Sequence, residues 1–326
     1  MPKRVVPAKD LARKFRVPAD VVTQKQGVLE KHVSAAREMP SEMAARAGER
    51  ALARAKERGI DPKDIGLVAY VGSQWKDYHI WLMGAYLQER LGIPRAFAFD
   101  TSAMCAGVVF GLHLAKNFLG SDPDLRAILL VGASKESYIV RASDPGSLWM
   151  DNFADAGVAA VVARDLQENV ILGSDFLADG SLSLATLQRG GGARQPVYPA
   201  YGRARQVFLE GLIPKEDFRR RMDAVSLGNF ADVIERSIRK SGLTTADIQM
   251  LFLNHMKQSF HRAIGDKVGI PPERAWYLER FGHSQSADQL LGLDQAIQAG
   301  CRPCRRWRGG TIASCGSGRA SGCPRS

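Results

Sequence analysis

The sequence predicts an α/β protein made of two similar halves, and three observations carry that prediction. An order of amphipathic helix, strand, helix and strand occurs twice along the chain. Within it, Gly59-Ile-Asp-Pro-Lys-Asp64-Ile-Gly-Leu-Val-Ala-Tyr70 parallels Gly242-Leu-Thr-Thr-Ala-Asp247-Ile-Gln-Met-Leu-Phe-Leu253, each copy opening a strand. Leu91-Gly-Ile-Pro94 parallels Val268-Gly-Ile-Pro271, each copy leading to a further strand and an elbow. In that correspondence Cys105 and the Gly282-His283 elbow fall at related places.

Met1 to Phe15 is basic and partly helical in pattern, with no strand expected before it. Ser41 is a good N-cap for an Ala-, Glu- and Arg-rich helix that ends near Gly59, and Ala44 three residues on gives no capping box. Ile65 to Val71 is a short apolar strand, closed by Gly72 and Ser73. Tyr78 to Arg90 reads as a helix, broken by Gly92 and Pro94. Ala96 to Phe99 and Ala127 to Val131 read as strands, and Val158 to Val162 as a third, buried by its continuous apolar character. Gly190 to Gly192 is a loop in an inserted middle region, with Tyr198, Tyr201 and Arg203 after it.

At 326 residues the chain can bury a sizeable core, and 45% hydrophobic with 24% charged residues are ordinary globular values. No apolar run approaches the ~20 residues of a membrane span, and Met1-Pro-Lys-Arg-Val-Val-Pro lacks a secretory h-region. A cytoplasmic protein away from membranes is expected. The net charge of +11 does not argue for nucleic acid. Six arginines and no acid fall in residues 301–326, so residues 1–300 carry only +5. Cys301, Cys304, Cys315 and Cys323 share that tail. Cys301 and Cys304 have CxxC spacing, but the other two form no second tight pair, so no metal is expected. The tail shows no strand periodicity and reads as Arg-, Gly-, Ser- and Cys-rich coil, the composition that out-of-frame reading of a GC-rich gene produces.

The stretch that carries chemistry is Phe97-Ala-Phe-Asp-Thr-Ser-Ala-Met-Cys105-Ala-Gly-Val-Val-Phe-Gly111. A buried strand runs into Asp100, Thr101 and Ser102, whose side-chain oxygens suit a helix start, and a helix follows to Phe118. Cys105 thus lies at a strand-to-helix elbow near the positive end of a helix, which favours a thiolate. By itself such a Cys is as readily a small inert hydrophobe.

Asp-Thr-Ser-Ala-Met-Cys-Ala-Gly resembles the nucleophile motif of the thiolase-like condensing enzymes, specifically the 3-oxoacyl-acyl-carrier-protein synthase III family. Leu253-Asn-His255-Met-Lys-Gln258, Arg280-Phe-Gly-His283-Ser-Gln-Ser286 and Asn152-Phe-Ala-Asp-Ala-Gly157 resemble further motifs of that family, in its order, over about Lys3 to Gly300. The resemblance implies a five-layer αβαβα sandwich. Residues 1–165 would form the half with the nucleophile, 166–300 the half with two histidines, and 301–326 an atypical tail. Relatives would place a first strand before the basic segment and a strand, Gly-rich loop and final strand after Gly300. Both ends therefore look incomplete.

The resemblance also assigns roles. Cys105 would take an acyl group from acyl-CoA or an acyl carrier protein as a thioester. His255 would donate to the incoming thioester carbonyl and stabilise the enolate left by decarboxylation of a malonyl unit. His283 departs from the family, which usually has Asn there. Imidazole can donate as Asn does but can also take a proton, so transfer to an alcohol or amine is open as well. Asp288, five residues on, is in range to orient His283, although a solvent-facing helical carboxylate is the ordinary expectation. Asp155 would support the fold rather than the chemistry, and His113 would be structural. His32, His79 and His261 show no constellation. Gly316 and Gly318 stand near where the family's second oxyanion donor would be. No metal or redox cofactor is required, and the resemblance implies a homodimer. The competing reading is an inactive partner subunit that keeps the fold.

Overall fold

A short strand, β1 (Val5–Pro7), precedes the basic helix α1 (Ala8–Phe15) and pairs antiparallel with β2 (Glu30–His32). No strand was expected there; the adjacent β-branched Val5 and Val6 supply one. The computed structural model describes residues 1–140, 142, 150–166, 169–188, 190–196, 209–301 and 313–314. Among these, β1 stays outside the main sheet of the first half and pairs with β2.

Helix α2 (Pro40–Lys56) begins before Ser41. Pro40, with its preset φ, takes the first helical position, and the Glu42 carboxylate accepts the Met39 N–H at 3.1 Å. Ser41 instead gives its N–H and hydroxyl to Asp77, at 3.0 and 2.5 Å. Next come β3 (Ile65–Tyr70), α3 (Met83–Arg90), β4 (Phe97–Asp100), α4 (Gly107–Ser121), β5 (Ala127–Lys135) and β6 (Asp155–Ala163). They form a sheet of order β4-β3-β5-β6, parallel except for β6, whose Asp155 stands opposite Lys135. Helix α3 starts five residues later than its pattern suggested. Its first N–H groups, of Met83 and Gly84, bond the Asp100 carboxylate at 3.0 and 2.7 Å. Asp100 thus caps α3 across the fold rather than the helix that follows it in sequence.

Alternation along the strands separates two cores. Val68, Tyr70, Leu129 and Val131 pack with α2 and α3, while Leu67, Ala69, Ile128 and Leu130 pack with α4. After a small pair, β7 (Leu187–Gln188) with β8 (Leu209–Glu210), the second half follows as α5 (Lys215–Lys240), β9 (Met250–Phe252), α6 (Gln258–Val268), β10 (Ala275–Trp276) and α7 (Asp288–Gln298). Gly190 to Gly192 is a loop, as expected. β11 (Ala313–Ser314) completes a sheet of order β10-β9-β11, pairing antiparallel with β9. A strand therefore stands inside the tail, against the expectation of unbroken coil; Cys304, Cys315, Cys323, Gly316 and Gly318 lie outside the described residues, as do Tyr198, Tyr201 and Arg203.

Helix α7 packs with α4 between the sheets, through Ala287, Leu291 and Leu112. Helices α5 and α6 cover the far face of the second sheet through Ile234, Ile238, Ile264 and Val268. The layers run α2/α3, sheet, α4/α7, sheet, α5/α6: the five-layer αβαβα sandwich of the thiolase-like fold.

The internal repeat is geometric as well as textual. Asp64 accepts the Asp61 N–H at 2.8 Å, and Asp247 accepts the Thr244 N–H at 2.8 Å, each closing a single turn before a strand. Gly92 and Gly269 end α3 and α6 with φ of 68° and 73°.

Candidate active site

Cys105 lies in a one-turn 3-10 segment, Met104–Ala106, that runs into α4. Met104, its first residue, has φ of 47°, and Gln285, the first residue of the equivalent turn leading to α7, has φ of 54°. Left-handed backbone at two non-glycine residues is strain held by surrounding structure, and here it turns both helix starts toward each other. Gly107 makes the approach feasible, since a Cβ there would stand 2.3 Å from the Val71 carbonyl oxygen. No side chain caps the first N–H groups of α4, so the half-buried Cys105 sits at an open positive helix end. Its own carbonyl accepts from the Asn254 amide at 3.2 Å and from Gln289 at 3.4 Å.

His283 is pinned at the start of β6. Its N–H bonds the Asn152 carbonyl and its carbonyl accepts the Ala154 N–H, both at 2.8 Å. Gly282 before it has φ of 72° and is wedged against Asn152 and Lys31, where no side chain fits. The buried His283 ring lies with Nε2 3.2 Å from Cys105 Sγ and Nδ1 2.6 Å from Asp288 Oδ2. Asp288, expected to face solvent, is wholly buried, because α7 is packed between the two sheets. Burial disfavours the charged imidazole, but the Asp288 carboxylate and then Cys105 outweigh it, and His283 titrates well above the ordinary histidine range.

His255 follows β9 by three residues, and its N–H bonds Asp288 Oδ2 at 2.7 Å. Both histidines therefore hang from one carboxylate. The Asn152 amide donates to His255 Nδ1 at 3.0 Å, which leaves the proton of the neutral ring on Nε2. Nε2 is buried without a hydrogen-bond partner, the backbone of Gly27 lying near the ring at no bonding geometry. Burial pushes His255 down to about 4, so at neutral pH the ring is neutral and its Nε2–H is a donor. Two imidazoles whose environments drive them apart are suited to separate roles, a neutral donor at His255 and a titratable ring at His283 within 3.2 Å of the sulfur.

Asp155 is a scaffold, accepting from the N–H and hydroxyl of both Ser34 and Ser137 at 2.7 to 3.1 Å. His113 is apart from the site, bonded to Ser174 at 2.7 Å beside a surface cavity of about 380 Å³. His261 reaches the site indirectly, edge-on to Tyr277, whose ring lies tilted against His255. Sequence reasoning missed Asn152, Asn254, Gln289 and Tyr277. Of these Asn152, which opens a quoted motif, and Asn254, adjacent to His255, carried a positional hint. Among the described residues no group of three or more His, Cys, Asp and Glu stands together as a cation cage.

The chain matches the family described as 3-oxoacyl-[acyl-carrier-protein] synthase III over residues 99–180, and the C-terminal part of that synthase over residues 238–323. The second match takes in most of the tail. Two curated relatives are beta-ketoacyl-[acyl-carrier-protein] synthases III. The one from Synechocystis is 28% identical over 89% of this chain and 84% of its own; that from Microcystis aeruginosa is 27% identical over 97% and 91%. Among solved structures, a 3-oxoacyl-(acyl-carrier-protein) synthase III superposes with a TM-score of 0.80, at 23% identity, over 97% of this chain and 96% of that one. The synthase III of Aquifex aeolicus gives 0.77 at 22% identity, over 95% and 94%. These structures share the fold. The two matched stretches cover just over half of the chain and contain Cys105, His255, His283 and Asp288, so the chain belongs to the 3-oxoacyl-[acyl-carrier-protein] synthase III family.

Proposed function

We propose that this protein is an acyl-thioester condensing enzyme of the synthase III type, with acyl-CoA or an acylated carrier protein as donor. Cys105 sulfur attacks the donor carbonyl, the C–S bond to the donor breaks, and the released thiol takes the proton held by His283. A malonyl thioester then loses carbon dioxide, and its enolate carbon attacks acyl-Cys105, forming a C–C bond and freeing the sulfur. The His255 Nε2–H is the donor for the oxygen on which charge develops. The observation that carries the reading is the 3.2 Å contact between Cys105 and an imidazole that has its own buried carboxylate.

Incubation with radiolabelled acyl-CoA should place the label on the peptide containing Cys105. His255→Ala should leave that acylation largely intact and slow the second half-reaction by about 10²–10³-fold, the usual cost of one oxyanion donor. Failure of every donor to label Cys105 would return the inactive-subunit reading. Equal loss of both half-reactions would make His255 structural.

A homodimer working in the cytoplasm fits the same reading. Supporting it, β4 has one neighbour among the described residues, and its Phe97 is 68% exposed, with Tyr78, Leu82 and Tyr86 exposed on and near α3. Sedimentation at a monomer's rate would remove this part. No helix among the described residues is long and apolar enough to cross a membrane. A second reading, transfer of the acyl group to an alcohol or amine, is favoured by the Asp288–His283 bond, since such acceptors need a base and a decarboxylating one does not.

A further inference from the structure

Asp288 is the most constrained acidic side chain of the site. Its Oδ2 accepts from His283 Nδ1 at 2.6 Å and from the His255 N–H at 2.7 Å, and its Oδ1 accepts the Ser284 N–H at 2.7 Å. Being the first residue of α7, it sits where a helix end also favours negative charge. The equivalent position in the first half is Gly107, where the Val71 carbonyl leaves no room for a side chain. One half of the repeat thus brings the sulfur and the other brings a carboxylate, with His283 between them.

A wholly buried carboxylate requires a compensating charge. Among the described residues the one cationic partner in contact with Asp288 is His283; no Lys or Arg reaches it. Other groups around the His283 ring do not supply or cancel that charge. His255, after β9, is neutral. Lys31 of β2, packed against Gly282, is pushed by burial down to about 7, and its Nζ is spent on the carbonyls of Asp151 and Phe153 at 2.6 and 2.7 Å. Asp155 of β6 is saturated by Ser34 and Ser137, and the Phe153 ring meets His283 edge-on.

We propose that Asp288 is the positioning residue of the nucleophile: it fixes His283 with Nε2 aimed at the Cys105 sulfur and keeps that ring an imidazolium in the resting protein. His283 then differs in kind from the amide that the family usually carries at this elbow. It presents the sulfur with a cation and holds the proton that the leaving thiol needs. The inference rests on Cys105 being the nucleophile, but its test uses no acyl donor, so failure of the condensing reading would leave the result standing.

The probe is iodoacetamide, with alkylation followed on the Cys105 peptide at pH 6.5 and pH 9. Asp288→Asn should slow alkylation at pH 6.5 by tenfold or more and leave the rate at pH 9 within about twofold. A merely structural role would change both rates by one factor, and that outcome overturns the proposal. Because Asp288 also holds two backbone N–H groups, the wild-type protein supplies an independent arm. With [15N]histidine labelling, both ring nitrogens of His283 should carry protons at pH 7. A neutral His283 ring overturns the proposal whether or not Asp288→Asn folds.

Discussion

At the scale of single residues, the proposed acyl-enzyme gives His283 the choice of what happens next. An imidazole that must accept a proton from an alcohol or amine works only once its own proton is gone. Asp288 holds the ring protonated, so the rate of such transfer rises with pH through a midpoint above the ordinary histidine value of about 6.5 and stays low below it. His283→Asn, which can donate but not titrate, should keep malonyl decarboxylation and lose both this limb and transfer to hydroxyl and amine acceptors. Product analysis and a pH–rate profile of the two proteins would check it. If the variant keeps both the limb and the acceptors, the imidazole is only a substitute for the amide.

At the scale of elements, the site depends on how closely α4 approaches β3. A Cβ on Gly107 would stand 2.3 Å from the Val71 carbonyl oxygen and 3.0 Å from Ser286 Cβ, and both are fixed parts of the fold. Gly107→Ala should therefore push the helix start outward, carrying Cys105 from His283 and costing roughly 1–3 kcal/mol of stability as overpacking does. Urea unfolding and the rate of Cys105 acylation measure the two effects. A stable variant that acylates at the wild-type rate would show that the elbow tolerates the shift. The same scale explains two misplaced caps. Ser41 and Asp100 are good local helix starters, yet each bonds a partner distant in sequence, because Pro40 already sets the start of α2 and the bare end of α3 lies against β4.

At the scale of the whole molecule, the centre of the first half carries a charge cost that depends on pH. Glu136 is 1% exposed, bonds the Ser134 hydroxyl, and leaves Oε1 without a partner. Burial raises its carboxyl from 4.5 to about 7. Its folded form thus holds the proton more tightly than the unfolded chain, so its contribution is fully present below 4.5 and is lost as pH rises through about 7. The shift corresponds to about 3 kcal/mol at most. Glu136→Gln removes the ionisation and should stabilise the protein by roughly 2–3 kcal/mol at pH 8 relative to wild type, with little difference at pH 4.5. Denaturant titrations at both pH values read this directly, and a difference independent of pH would place the effect elsewhere.

The sequence alone determined the two-fold repeat and the strands of the first half's main sheet, because these are periodic properties: apolar runs and Gly turns before Pro. Cys105 stood out as a Cys between strand and helix, and the two histidines only through the family-like motifs around them. The fate of Asp288 was not legible, because a carboxylate at the start of an amphipathic helix is normally solvated. Only the stacking of α7 between two sheets buries it and makes it the shared partner of His255 and His283. Asn152 opens a family-like motif, but its partner was not legible, since the bond to His255 spans 103 residues and exists only where the start of β6 meets the end of β9. Local chemistry names the reacting groups; the tertiary packing sets which of them is charged and which is neutral, because burial and neighbours are properties of the assembled fold.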